Sequence, residues 1–326
     1  MMRFLKIMMR FFKAIPMWFE LKNEFNAKVA LWMCYVYILP SQKNNRYMAV
    51  LREYFKQDLS ELVCKYKEKK NSFSDYRRDE KIPLWTCWLT GYESMPEVVK
   101  ICFHRMTKSV PKDKVKVILV TLDNYSQYIE IPHYILEKYT KGVISPAHFS
   151  DVIRFCLLSK YGGIWLDSTV YVSEMIPINY IEADYYTQKV SDISLYLNEP
   201  SRAQWCGFIW AGKKNNLLFS FVRDGLFYYW KKYNTVIDYI FFDYIIITAY
   251  NGIPWIKNMI DSLQPNNENI WDLWNVINEK YDEEVYQKIC KNNIFHKLSY
   301  KGDLQIQTVD GFQSMYGHLL MEDESR

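Results

Sequence analysis

The chain has 326 residues, 49% of them hydrophobic and 24% charged, which excludes a disordered or fibrous protein and allows a sizeable core. Its net charge of +4 is the difference between 41 basic and 37 acidic residues, a balance that excludes a nucleic-acid binder relying on dense phosphate neutralisation. The seven cysteines, at positions 34, 64, 87, 102, 156, 206 and 290, form no CxxC pair and read as reduced thiols of a cytoplasmic protein.

The opening MMRFLKIMMRFFKAIPMW spaces Arg3, Lys6, Arg10 and Lys13 three or four residues apart, which gathers them on one helical stripe. Phe4, Ile7, Met8, Phe11 and Phe12 fall largely elsewhere around that helix, the pattern of a helix lying flat on an anionic membrane surface. Arg10 and Lys13 interrupt the apolar centre that a cleaved signal peptide requires. A second apolar run, residues 29–39 (VALWMCYVYIL), stops at Pro40; it is shorter than the ~20 residues of a membrane span and is expected as a buried helix. From residue 44 to about 70, Tyr47, Leu51, Tyr54, Phe55, Leu59 and Leu62 recur at helical intervals. The stretch KYKEKKNSFSDYRRDEK then loses all apolar periodicity and marks a boundary between an N-terminal helical region, 1–75, and a second domain, 76–326.

Beyond it, short strands alternate with helices. Residues 82–89 read as a strand, 96–107 as a helix and 115–120 as a strand, with further helices around 134–139 and over 146–160. Gly162 and Gly163 end the last of these, because a left-handed stop followed by a tight turn suits residues without Cβ. Residues 164–167 form a short strand ending in a carboxylate, Asp167. This alternation predicts an α/β fold with a mostly parallel, doubly wound sheet, whose ligands sit at the carboxyl ends of strands, where Asp167 falls.

Asp151 and Arg154 share one face of the 146–160 helix, in an otherwise apolar setting, and together with the glycine turn and Asp167 they converge on the mouth of one crevice. The run SDVIRFCLLSKYGGIWLDSTVYV, residues 150–172, resembles glycosyltransferases with a DXD sugar-binding motif: Ser-Asp, an Arg three residues on, a Tyr-Gly-Gly turn, then an apolar strand into Asp. The upstream IPHYILEKYTKGVISPAHFSD and the Asp-Ser-Thr in place of Asp-X-Asp are similar to the capsular polysaccharide synthesis branch, whose core the large glucosylating bacterial toxins share. IPLWTCWLTG is similar to that family's first-strand motif, so the resemblance runs over residues 82–172, with looser similarity to about residue 301.

The resemblance implies a GT-A fold, Rossmann-like, with an N-terminal helical appendage, and a retaining transfer of a hexose from a nucleotide-sugar donor, a UDP-sugar, to a saccharide acceptor. Carried over residue by residue, Trp88 lies against the base or ribose, Asp151 and Arg154 hold the sugar hydroxyls, and Asp167 with Ser168 contacts the ribose, the sugar or a metal at the diphosphate. The acceptor it implies is a growing, lipid-linked oligosaccharide at the inner face of the cell membrane. A second class of function stays open, a non-catalytic sugar-nucleotide binder or scaffold of a polysaccharide assembly complex.

Diphosphate departure calls for charge compensation, by Mn²⁺ or Mg²⁺ on hard oxygen ligands or by fixed cations. Here the second DXD position is Thr169, a neutral and weak ligand. Three arrangements remain open: Asp167 and Thr169 share an ion with Asp310, His318 or Asp303; Lys297 and Lys301 of HKLSYK handle the phosphates without a tightly bound metal; or the site binds sugar nucleotides without turning them over. His148 and His296 are further candidates flanking these segments. Asp243, within the apolar run YIFFDYIIITAY, is expected on a buried helix over residues 239–250; a lone acid there is costly unless paired or open to a cleft, where it would orient the acceptor hydroxyl. The chain contains no glycine-rich phosphate loop and no GxSxG nucleophile elbow.

Overall fold

The strands carry continuous apolar runs rather than alternating ones, as a sheet covered on both faces requires. The computed structural model describes residues 2–69, 73–77, 80–191, 193–197, 199–267 and 269–324; part of the charged stretch after Tyr66, namely 70–72, 78 and 79, lies outside the described residues. The chain opens with α1 (Met2–Glu24), α2 (Ala27–Ile38), α3 (Asn45–Asp58) and α4 (Ser60–Lys67). Next come β1 (Ile82–Cys87), α5 (Glu97–Lys108), β2 (Val115–Val120), α6 (His133–Thr140), α7 (Pro146–Tyr161), β3 (Gly163–Leu166) and β4 (Val170–Val172). The remainder holds α8 (Ile178–Ile181), β5 (Tyr185–Thr187), β6 (Ile209–Gly212), α9 (Leu217–Lys232), α10 (Phe241–Gly252) and α11 (Pro254–Ser262), then α12 (Asp272–Asn275), α13 (Glu283–Asn292), β7 (Phe295–Lys297) and α14 (Met315–Glu324).

The main sheet has the order β2-β1-β3-β6-β5. β1 is parallel to both β2 and β3, whereas β6 is antiparallel to β3 and β5 antiparallel to β6, so every strand but β6 runs the same way. This is a mixed α/β architecture with a mostly parallel central sheet, compatible with a Rossmann-like fold. Successive side chains alternate between its faces. Trp85, Cys87, Trp165 and Trp210 enter one core with α7, α9 and α10, while Leu84, Ile164, Leu166 and Ile209 enter another beneath α5, α13 and α14. A second, two-stranded sheet pairs β4 with β7 in antiparallel register, Val170 opposite Lys297.

Most helices of the sequence reading appear within two residues of their expected ends, but the 44–70 run is split at Leu59 into α3 and α4. Both dock on the main core rather than standing apart. Phe55 stacks on Tyr229 and Tyr244, Tyr47 Oη donates to the Ile237 carbonyl at 3.0 Å, and Tyr66 Oη donates to Asp224 Oδ2 at 2.7 Å. The 29–39 helix, by contrast, is not buried as expected: Val29, Ala30 and Cys34 are covered, but Leu31, Tyr35 and Tyr37 are exposed, because α2 packs chiefly against α1 and α3. β5 and β6 are strands that the apolar pattern does not announce. Among the described residues no helix is long and apolar enough to cross a membrane.

The turn from α7 into β3 positions everything that follows. Ser145 caps α7, its Oγ accepting from the His148 amide at 3.3 Å, and Pro146 fills the first helical position, where no amide hydrogen is needed. At the other end Gly162 has φ +64° and ψ −143°, an extended backbone with positive φ rather than the left-handed helical stop expected, and close to a region that only glycine enters freely. Gly163 follows at φ +89°, and a Cβ there would meet the Pro83 carbonyl oxygen at 2.2 Å. The tight approach lets β3 pair with β1. Gly163→Ala should therefore destabilise the chain by about 3 kcal/mol or more, read as a shifted denaturant midpoint at constant m-value; a variant as stable as the parent would refute this account of the turn.

Candidate functional site

A cleft of about 1040 Å³ opens at the carboxyl ends of β1 and β3. Chain geometry explains why charges meet there. Arg154 lies eight residues before Gly162 on α7, a rise of about 12 Å; Asp167 lies four residues after Gly163, just past the end of β3, an extension of about 13 Å. Folding back at the glycine pair thus sets the two side by side, and Arg154 Nη2 donates to Asp167 Oδ1 at 2.8 Å. Arg154 Nη1 also meets Asp151 Oδ1 at 3.1 Å, one helical turn earlier. The guanidinium lies over the rings of Trp165 and Phe242, at 5.0 and 5.8 Å from their centres, and the Trp165 indole donates to Asp167 Oδ1 at 2.8 Å. The Asp167 amide is in turn held by the Phe208 carbonyl at 2.9 Å.

The two carboxylates titrate in opposite directions. Burial pushes Asp151 up to about 7, opposed by Arg154 and reinforced by the charge of Asp167. Burial would raise Asp167 as well, but Arg154 and Lys297 beside it outweigh that and hold it below the usual carboxylate range. Asp167 is therefore the firmly ionised member.

The other expected donor residues line the same cleft: Trp88, Ser168, Thr169, Lys297, Lys301 and Asp243. Trp88, just past β1, is half-buried, donates to Ser94 Oγ at 3.0 Å and meets the edge of Tyr300 across the cleft with ring centres 5.3 Å apart. Lys297 comes from β7; its Nζ lies 3.5 Å from Asp167 Oδ2 and donates a short hydrogen bond to Thr169 Oγ1. Asp243 is buried in the first turn of α10, with Oδ1 accepting from the Trp205 indole at 2.8 Å, so the partner it needs is an indole N–H rather than a cation. Burial pushes its carboxyl up to about 7, with the Trp205 hydrogen bond working against the rise.

Other candidates lie elsewhere. Asp310 is exposed on the turn that Gly311 closes with its amide on the Thr308 carbonyl, Asp303 is exposed on the loop before it, and His318 is stacked flat on Tyr281 at 3.6 Å on α14. None of the three lines the cleft, so the structure does not bring them to Asp167 and Thr169. His296 faces away from the cleft on β7, buried against Ser173 Oγ at 3.1 Å, and burial lowers it to about 4, which keeps it neutral. His148 bridges Ser145 Oγ at 2.9 Å and the Tyr239 carbonyl at 2.9 Å, tying the start of α7 to the loop before α10. Among the described residues no group of three or more His, Cys, Asp or Glu side chains could hold a metal ion.

Sequence reasoning missed Trp205, Glu199 and Tyr239, which also line the cleft. The first two come from the irregular segment between β5 and β6, which has no periodicity to read; Tyr239 stood at the edge of an apolar run and is 63% exposed.

With this geometry in place, comparison with known proteins gives one clear relation: residues 33–319 match the family described as capsular polysaccharide synthesis protein, and the chain belongs to that family. No curated protein and no solved structure matches it significantly.

The raised pKa of Asp243 has a consequence for stability. A carboxyl that titrates near 7 folded and near 3.8 unfolded binds its proton more tightly in the folded state, so stability falls as pH rises from about 4 to about 7 and does not recover above. Asp243→Asn should remove that component, so that the parent's stability relative to the variant declines across this window in urea titrations. A difference independent of pH would show that Asp243 ionises normally in the fold.

Proposed function

We propose that this chain is a GT-A glycosyltransferase that moves a hexose from a nucleotide-sugar donor, a UDP-sugar, to a saccharide acceptor in capsular or cell-surface polysaccharide synthesis. The observation that carries the reading is the Asp151–Arg154–Asp167 network at the carboxyl ends of parallel strands, inside the large cleft of a chain from a capsular polysaccharide synthesis family. Trp88, with Tyr300 packed against it at right angles, offers the cleft an aromatic surface suited to a base or a sugar face. Asp151 and Arg154 offer an acceptor and donors to sugar hydroxyls, and Ser168 adds a small hydroxyl next to Asp167.

In the transfer, the bond between the anomeric carbon and the diphosphate oxygen breaks with its electron pair going to the diphosphate. The acceptor oxygen bonds to the same face of that carbon, and its proton passes to the departing phosphate oxygen. Retention by same-face attack is favoured here because the ionised carboxylate, Asp167, is already engaged by Arg154 and the Trp165 indole, and Asp243 by Trp205. Asp243, at the start of α10, orients the acceptor hydroxyl.

The test is a panel of nucleotide sugars scored for hydrolysis and transfer by the full chain. Asp167→Asn should lower turnover of the accepted donor by about 10²–10³-fold while leaving the melting transition cooperative. Full turnover in this variant would remove Asp167 from the mechanism, failure of the parent to turn over any donor would support the non-catalytic scaffold reading, and a trapped glycosyl-carboxylate would overturn same-face attack.

A lipid-linked acceptor places the protein at a membrane, at its cytoplasmic face in this reading. The support is α1, whose Leu5, Met9, Phe11, Phe12, Ile15 and Phe19 are exposed next to Lys6 and Lys13, an apolar and cationic surface suited to anionic lipid. The chain should sediment with vesicles containing phosphatidylglycerol, and the double variant F11D/F12D should lose at least tenfold in vesicle affinity while hydrolysing donor normally. Equal sedimentation of both proteins would assign α1 another role.

A further inference from the structure

The residues around Asp167 do not fit a divalent metal. The position two residues on, where a second carboxylate would complete a DXD pair, is Thr169, and its hydroxyl already accepts a hydrogen bond from Lys297 Nζ. Asp167 Oδ1 is engaged by Arg154 and the Trp165 indole, both at 2.8 Å, and Oδ2 faces the same Lys297 at 3.5 Å. An ion on Asp167 would thus lie against two fixed cations, and the nearby Asp151 is turned to Arg154. Mg²⁺ and Mn²⁺ need at least one or two carboxylate oxygens free to join phosphate oxygens and waters, and here the one carboxylate has both oxygens turned to cations or an indole while its neighbour offers only a neutral hydroxyl.

What occupies the space between the two DXD positions is an ammonium group. Its placement follows from the backbone and not from a flexible surface chain. Val170 pairs with Lys297 in the β4–β7 ladder, the Leu298 amide donates to the Thr169 carbonyl at 2.9 Å, and the Lys297 amide donates to the Ile270 carbonyl at 2.8 Å. The Lys297 side chain is only 16% exposed and its Nζ lies 5.2 Å from the centre of the Phe208 ring, so its charge acts in a shielded setting. An ammonium has three donors. Thr169 Oγ1 takes one and Asp167 Oδ2 faces a second, which leaves a third for a phosphate oxygen in the cleft that Lys297 lines.

Granting the transferase reading above, we infer that this is a metal-independent donor site, in which the Lys297 ammonium takes the place of a divalent ion and offsets the negative charge that develops on the departing diphosphate. Asp167 then serves to fix Lys297 and Arg154 in position as well as to meet the donor. As the bond from the anomeric carbon to the diphosphate oxygen breaks, the electron pair settles on an oxygen next to Lys297, and no oxidant, reductant or further co-reactant is needed. Lys301, exposed at the mouth of the cleft, adds a more distant positive charge.

Two measurements on the full chain test the inference. The first is turnover of the accepted nucleotide sugar after exhaustive EDTA treatment, with and without added Mn²⁺ or Mg²⁺. The second is calorimetric affinity for UDP in EDTA and in Mn²⁺, for the parent and for Lys297→Met, each checked for a cooperative melt. The parent should keep its rate within about twofold in EDTA and bind UDP equally with and without Mn²⁺. Lys297→Met should lose about 10²–10³-fold in kcat, the loss associated with removing one preorganised electrostatic partner of the transition state, and should bind UDP at least tenfold more weakly. Lys297→Arg should recover part of both.

A parent enzyme that turns over donor only with a divalent ion, or whose UDP affinity rises tenfold or more with Mn²⁺, overturns the metal-independent site and leaves the transferase reading intact. A parent that neither binds nor hydrolyses any nucleotide sugar, in EDTA or in Mn²⁺, refutes the transferase reading itself. Should Lys297→Met not fold, the parent's response to EDTA and Mn²⁺ still decides between these outcomes.

Discussion

Arg154, on a helix buried from Asp151 to Ser159, sits between one carboxylate of that helix and one just past β3, and the geometry of the cleft depends on that placement. Three charges removed from most of the solvent are tolerable only if each satisfies the others, because burying an unpaired ion costs several kcal/mol. Bidentate-capable guanidinium geometry suits the task where an ammonium would not: one nitrogen reaches Asp151 on the same helix and another reaches Asp167 across the turn. The network locks α7 to the end of β3. It also sets the chemistry, leaving Asp167 ionised and Asp151 near neutrality in its titration.

A chain of local constraints carries that arrangement outward. The Gly162–Gly163 turn lets β3 lie directly beside β1, and the Phe208 carbonyl fixes the Asp167 amide at the strand end. Three residues later the polypeptide enters β4, whose pairing with β7 delivers Lys297 to Thr169 and Asp167 from more than a hundred residues away. The cleft is thus a meeting of two sheets, with the main one presenting its strand ends and the small one presenting a cation. On its far side α10 brings Asp243 to Trp205, whose indole rather than a cation is its hydrogen-bond partner. The two ends of the cleft differ in chemistry accordingly, one ionic and the other lined by the indole-bonded acid.

Much of this was legible before any fold was known, and the reasons are specific. The 146–160 helix and the strand after it carry an apolar pattern broken by two glycines, so Asp151, Arg154 and Asp167 could be placed at one crevice from spacing alone. β5 and β6 escaped notice because strands of three and four residues carry too short a pattern to separate from loop. The same gap hid Trp205 and Glu199. His318 looked like a metal ligand because histidine in a polar C-terminal segment carries no mark of its surroundings; its ring is taken up by Tyr281. The 29–39 run read as buried because apolar content alone cannot tell a core helix from one left half-covered by its neighbours.

The sequence by itself determined α7, the strand after it and the charged triad, because these rest on contacts within about twenty residues, where helical rise, strand extension and glycine dihedrals leave little freedom. Only the tertiary structure decided what faces Thr169 and Asp167. Lys297 and Thr169 lie 128 positions apart, and their contact depends on a strand register that no local pattern encodes. That register gives the site around Asp167 its own fixed cation.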